Sequence, residues 1–378
     1  MKRRPFRIAA LMCLLTSASF PLMVCRKNAS EWKGTLERRG DVTIVKNPRE
    51  PLRRSEALRL EKDLSIGKAE GEREYTFSSI AGVDADGEGN VYVLDDADAL
   101  VKVFDGHGNF LRAIGRKGQG PGETERPEFV EITPQDEVFV YDYASFRVVF
   151  YSRDGVFLRQ KPVGRPLLPV RLDSEGQLIG FEILAPPPLG GRLLKKYDRD
   201  YALLTVIARE EQGQRRVFDI GKPGVFCCAA PADALVWGDS GSYVLSVLNS
   251  KGVLVRTIEK DHRPVRITAA DRERYEKDYT DALRAGLKLD FRDHFPAYKG
   301  IFADDEGRII VKTYERVAGT PGSLYYDVFD SEGRYEARVS LPLDLKIGSV
   351  WKNRKLYTIE SDPQGFQIVN RYAVSWVK

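Results

Sequence analysis

Histidine, cysteine and methionine are scarce in this chain: three, four and three in 378 residues. The histidines, His107, His262 and His294, stand in a turn, after a strand and before Pro296, with no ligand-like spacing for a metal. The cysteines have no metal-type spacing either. Cys13 falls in the first apolar segment, Cys25 at its end, and Cys227 and Cys228 are adjacent. Neighbours in a strand point to opposite faces, so the pair is expected to stay reduced; the alternative is a strained, reducible vicinal disulfide between Cys227 and Cys228. No Gly-x-Ser-x-Gly elbow is present, so a serine triad has no anchor.

Long hydrophobic runs are also missing. Ile8 to Val24 is mostly apolar, but Pro21 and several serines make it too short and broken for a membrane span. Behind the basic residues Lys2, Arg3, Arg4 and Arg7 it reads as an export signal covering residues 1–24. Two ends are open. Ser17-Ala18-Ser19 suits a signal peptidase, whereas Leu22-Met23-Val24-Cys25 resembles a lipobox, with Val24 where a small residue is usual. The second would make Cys25 a lipidation site and the protein a periplasmic or outer-membrane lipoprotein; the first, a freely secreted one. A lipid anchor is the only membrane contact expected. Residues 25–40 are polar and read as a tether.

Excess charge of one sign is absent too. Removing residues 1–24 takes away four basic and no acidic residues and leaves 55 of each. A near-neutral chain lacks the phosphate-neutralising surplus of a nonspecific nucleic-acid binder, so no nucleic-acid partner is expected.

Glycine, in contrast, is placed with pattern. IGRKGQGPGE (114–123) holds four glycines beside two basic residues and invites a phosphate-loop reading. Yet Gly120 is followed by Pro121 and Gly122, where a P-loop needs lysine and a hydroxyl, and no helix opens behind it to hold the anion. The stretch is one copy of a repeat. Ile66-Gly67-Lys68, Ile114-Gly115-Arg116, Val163-Gly164-Arg165 and Ile220-Gly221-Lys222 place their glycines 48, 49 and 57 residues apart. Periods of this size mark propellers, solenoids or arrays.

Between the repeats, strand signals dominate. Ile80–Asp84, NVYVLD (90–95), LVKVFD (100–105) and FLRAIG (110–115) are four short strands separated by turn signals. The order returns through five units, and a sixth has only three strands. Leu64-Ser65-Ile66-Gly67 ends in the signature of a fourth strand, so the N-terminal segment supplies the missing outer strand. The prediction is an all-β, six-bladed β-propeller over residues 41–378, its last blade closed by an N-terminal strand that removes an open edge. One helical insertion is expected at about 268–286. Thr268 to Asp271 is a capping start, Tyr275, Tyr279 and Leu283 share a face, and Gly286 is a stop.

GNVYVLD…VKVFDGHGNFLRAIGRKGQGPGE resembles the NHL-repeat proteins, in particular the six-bladed propeller lipoproteins of bacteria. The resemblance implies a propeller that recognises partners through loops on one face. It also implies an alternative, since related propellers are metal-dependent lactonases or lyases that use the central channel.

Alternating strand directions put the loops between second and third strands on the same face as the loops leaving fourth strands. That face should carry Asp95, Asp98, Arg116, Lys117, Asp142, Tyr143, Phe146, Arg147, Tyr314 and Arg316, with Lys68, Arg165 and Lys222 in the ring of repeated basics. Tyr, Phe and Arg on one face point to binding of a protein, peptide or glycan of the cell envelope, and a monomer is expected. No cofactor and no catalytic residue are predicted. Calcium or another divalent metal is the alternative, because DADGEGNVYVLD (84–95) nearly matches a calcium loop through Asp84, Asp86, Glu88 and Asp95. Recurrence of the same turn at Asp173 and Asp304 favours an ordinary hairpin. Glu131 is the one inner-strand carboxylate that an enzyme could use, so the chain leans away from catalysis.

Overall fold

The protein is described by a computed structural model covering residues 32–53, 58–184, 190–213, 216–320, 323–346, 348–362 and 364–376. The signal segment and Cys25 lie outside the described residues. Three strands come first: β1 (Thr35–Arg39), β2 (Val42–Asn47) and β3 (Leu58–Ile66). Blade 1 is β4 (Ile80–Ala85), β5 (Val91–Asp95), β6 (Leu100–Phe104) and β7 (Phe110–Ile114). Blade 2 is β8 (Pro127–Ile132), β9 (Glu137–Asp142), β10 (Arg147–Ser152) and β11 (Phe157–Pro162). Blade 3 is β12 (Leu167–Leu172), β13 (Leu178–Ile183), β14 (Gly190–Tyr197) and β15 (Leu203–Gln212). A short β16 (Val217–Ile220) precedes blade 4, which is β17 (Val225–Ala230), β18 (Ala234–Asp239), β19 (Val244–Leu248) and β20 (Leu254–Lys260). The insertion follows as α1 (Ala269–Asp278), α2 (Thr280–Arg284) and β21 (Lys288–Phe291). Blade 5 is β22 (Gly300–Ala303), β23 (Ile309–Arg316), β24 (Leu324–Phe329) and β25 (Tyr335–Ser340). Blade 6 is β26 (Val350–Lys352), β27 (Lys355–Ser361) and β28 (Gln367–Trp376), completed by β3.

Both faces of each blade are buried between neighbours, which is why β5 reads VYVLD with every residue buried. Alternation then decides which neighbour each side chain meets. In β10, Val149 and Tyr151 pack with blade 1, whereas Val148 and Phe150 pack with blade 3. The tight hairpins share one device. Asp86, Asp105, Asp173, Asp198, Asp304, Asp330 and Asp362 each accept the N–H groups two and four residues on. This is the side-chain mimic of a backbone turn that aspartate forms readily.

The N-terminal segment is a belt over three outer edges. β2 pairs in parallel with β20, and β1 pairs with β2, so blade 4 has six strands. Leu52 and Arg53 then donate to the Tyr335 and Glu336 carbonyls of blade 5. β3 runs antiparallel to β28 and closes blade 6, as its Ile-Gly signature predicts. Thr35–Arg39 therefore does not belong to the tether expected over residues 25–40. Thr35–Arg39 is an ordered edge strand whose mostly exposed, charged side chains suit an edge that must resist further pairing.

The insertion forms a cap on the strand-connecting face, since it lies in the link from β20 to β22. Thr268 makes a reciprocal capping box with Asp271. The expected single helix is broken at Tyr279, whose φ of −106° and ψ of 16° end α1. β21 pairs in parallel with β16, which joins this link to the one between blades 3 and 4. Beneath lie Ile220, Ile267 and Phe295. No helix of the described residues is long and apolar enough to cross a membrane.

Candidate functional site

The IGRKGQGPGE loop is rigid. The Gly118 N–H donates to the Thr124 carbonyl and the Thr124 N–H to that of Arg116. Glu123 accepts the Gly120 N–H at 2.8 Å and pairs with Arg116 at 2.6 Å. The Gly120 N–H holds the Glu123 carboxyl below its ordinary range, with Arg116 adding to it. Gly118 has a φ of +154°, which side chains rarely adopt, and a Cβ there would displace the Glu123 carboxylate from its place in the loop. From blade 2, Arg147 donates to the carbonyls of Gln119 (3.1 Å) and Glu123 (2.8 Å). Arg116 remains 75% exposed, and Lys117 reaches the Ala97 carbonyl from an exposed position.

The other face candidates divide. Asp95 and Asp142 are wholly buried, which corrects their placement on an open surface. Each ends the second strand of its blade and ties the entering loop to it. Asp95 accepts the N–H groups of Ser78 and Ser79 and pairs with buried Lys102; Asp142 accepts those of Glu125 and Arg126 and the Ser145 hydroxyl. Asp98 is half-buried, its N–H turned to Asp95. Tyr143 and Phe146 are half-buried, edge to face at 5.7 Å, with the Arg126 guanidinium 4.5 Å from the Tyr143 ring. Tyr314 and Arg316 belong to the cap: Tyr314 stacks on Phe295 at 4.4 Å and Arg316 pairs with buried Asp271. The repeated basics serve separate local contacts. Lys68 lies over Tyr75, Arg165 over Tyr197, and Lys222 donates to the Glu211 carbonyl. Over blades 1 and 2 Arg116 and Lys117 stay exposed, with Tyr143 and Phe146 half-buried on the same face.

A channel of about 1050 Å³ runs along all six inner strands. Asp84, Glu131, Arg171 and Lys352 line it from blades 1, 2, 3 and 6. An inner strand exposes a row of backbone groups that need partners, and these side chains supply some of them. Asp84 accepts the Ile132 N–H at 2.6 Å, Glu131 accepts the Leu172 N–H at 2.9 Å, and Arg171 donates to the Ala230 carbonyl at 2.9 Å. Lys352 pairs with Asp84 at 3.4 Å. Burial pushes the Glu131 carboxyl up to about 8, with nearby Asp84 adding to the rise. Burial also raises Asp84, against the opposing pull of Lys352. Reading the calcium-like stretch as one loop hid the place of Asp84 in the channel. Asp84, Glu131 and Arg171 each stand two residues before the residue that anchors the hairpin, Asp86, Thr133 or Asp173, and aligning the units on that turn would have found them.

The calcium-like stretch is a hairpin. Asp86 accepts from Glu88, Asn90 and Tyr92 and pairs with Arg153. Asp95 lies at the far end of β5, about 15 Å of strand away, so the two cannot share an ion. A channel metal does not fit the donors either. Asp84 and Glu131 are engaged by backbone, and among the described residues no three His, Cys, Asp or Glu side chains converge. Cys227 and Cys228 are free thiols on β17, Cys227 packed toward blade 3 and Cys228 toward blade 5. Burial pushes Cys227 up to about 12 and Cys228 well above the usual thiol range.

A family model described as a six-bladed β-propeller, DUF5128, matches residues 70–182. No curated protein matches the chain. Among solved structures, a protein of Bacteroides fragilis assigned as exported is similar, with a TM-score of 0.54 and 14% identity over 89% of this chain and all of that one. A member of the DUF4221 family from Bacteroides vulgatus gives 0.49 and 11%, over 85% and 99% of the two chains. Virginiamycin B lyase from Staphylococcus aureus gives 0.43 and 9%, over 84% and 99%. At 14% identity the likeness to the first is one of fold alone. The description of the family model agrees with the blade count: the protein is a six-bladed β-propeller.

Proposed function

We propose that the protein is an exported binding module that recognises a protein, peptide or glycan through the open part of its strand-connecting face, with acidic groups favoured beside Arg116 and Lys117. The rigidity of the 115–125 loop carries this reading. A surface loop with little core of its own is held by its own backbone, by Glu123 and by Arg147 from the next blade. Such pre-ordering lowers the entropy that binding would otherwise cost, and ordered loops on a rigid frame are where binding residues concentrate. Arg, Tyr and Phe supply side chains suited to a binding centre. The basic and apolar N-terminal residues support export. Arrays of acidic and neutral glycans and of acidic peptides, probed with the wild type and an Arg116→Glu, Lys117→Glu variant, test it. At least a tenfold loss of the acidic signals is expected, and an unchanged profile refutes the assignment. The lactonase- or lyase-like alternative would need a metal or base constellation, and two backbone-bonded carboxylates do not make one.

A further inference from the structure

The channel is separate from that loop surface, and its wall has an unbalanced chemistry. Much of it is apolar and open. Leu168, on the inner strand of blade 3, is 40% exposed, and Phe129, Phe181, Phe226 and Phe302 line the same space. At one end the polar groups are already matched: Asp84 has Lys352, Glu131 has the Leu172 N–H, and Arg171 has Asp233. At the cap-side end they are not. Lys299 stands directly before β22 and lines the channel. Its half-buried ammonium makes no ion pair among the described residues, and the Tyr314 ring lies 5.5 Å from it. Its neighbour Lys312 is neutralised by Asp344 and by the Leu345 carbonyl. Burial, then Lys312, pushes the Lys299 ammonium below its ordinary value.

Asp344 favours the charge from a distance but makes no contact with it; a partly desolvated cation without an ion-pair contact is costly, and an incoming anion lowers the cost. Apolar walls beyond it recover the transfer energy of an apolar body. The size also suits a small ligand, since such sites run to about 1,000 Å³. We propose that the channel binds a small organic carboxylate with an apolar body, its carboxylate on Lys299 and its body against Leu168 and the phenylalanines. Lys299 and Phe302 are three strand residues apart, about 10 Å. Phe302 stands level with the Asp84 and Glu131 positions, so a longer body would run into charge.

Calorimetric titration of the purified protein with octanoate, octanol and octyltrimethylammonium tests this. Octanoate is expected to bind saturably at one site and the cation not to. Lys299→Met, which keeps the apolar stem, should weaken octanoate at least tenfold and leave octanol unchanged. Lys299→Arg should keep octanoate binding. Leu168→Arg should abolish binding of both octanoate and octanol. Absence of saturable octanoate binding, equal binding of the cation, full affinity in Lys299→Met, or equal losses in Lys299→Met and Lys299→Arg would overturn the proposal. So would octanoate binding that survives Leu168→Arg, which would place the site elsewhere. None of these variants touches Arg116 or Lys117, so failure here leaves the loop-face reading standing.

Discussion

Asn47 ends β2 where the belt passes from blade 4 to blade 5, and it is 5% exposed. Its amide donates to the carbonyls of Glu259 (3.1 Å) and Gly333 (2.9 Å). Its oxygen accepts the Tyr335 N–H (2.7 Å) and the Trp32 indole N–H (3.0 Å). Both donors and both lone pairs of the side chain are used. Asn47→Ala strands the buried Gly333 carbonyl and Tyr335 N–H; the Glu259 and Trp32 groups are nearer water and add little. Each buried orphan costs about 1–3 kcal/mol, so a loss of about 2–6 kcal/mol is expected. For a domain of this size that is a fall in Tm of roughly 3–8 °C. Thermal unfolding followed by circular dichroism reads it directly. A fall smaller than about 2 °C would refute the reasoning, because it would mean that water replaces the side chain or that the belt holds nothing.

Two further outcomes are expected. Glu131 has its folded pKa raised above the unfolded value by burial and Asp84, against the Leu172 N–H, Arg171 and Lys352. Its contribution to stability is therefore full below about pH 4.5 and is lost as the pH rises to about 8. Glu131→Gln keeps an acceptor for Leu172 and should flatten stability against pH between 5 and 8, as read by urea unfolding; parallel curves would show that Glu131 is not protonated in the folded state. Arg316→Ala removes the partner that blade 5 offers to buried Asp271. Hydrogen exchange should speed up in residues 265–296 and stay unchanged in blades 1 and 2; uniform exchange throughout would show that Arg316 does not hold the cap.

The frame was legible because its rules are local. A hydrophobic-Gly-basic triplet ends a fourth strand in three of its four copies, so Ile66-Gly67 announced β3 before its partner β28 could be seen; the fourth copy, Ile220-Gly221-Lys222, instead ends β16, which pairs with the insertion. Thr268 and Asp271 announced α1 through a capping pattern four residues long. What escaped depends on distant chain. Thr35–Arg39 is charged enough to pass for a tether; it pairs with β2, and only the edge of β20, far along the chain, gives that hairpin a sheet to join. Asp95 and Asp142 stand at strand ends, where exposure is the usual reading, but the loops that bury them enter from about sixteen residues upstream. Tyr314 and Arg316 were placed on the right face, yet the cap that takes them up arrives from a different link. Asp84 was legible as a carboxylate and not as a channel residue, because its environment is set by Ile132 and Lys352, neither near it in sequence.

The closing of blade 6 by β3 also sets an order of assembly. Asp63 and Arg371, which pair across that seam, are 308 positions apart. Contacts of such separation form late, after the loop they enclose has been ordered by other means. A chain that emerges from its N-terminus must carry β3 unpaired while five blades stack as an open crescent, and the ring can shut only when β28 arrives. β3 and the last strand, β28, are thus two halves of one seam. Loss of either strand would leave the same blade open and offer an unpaired edge to other chains.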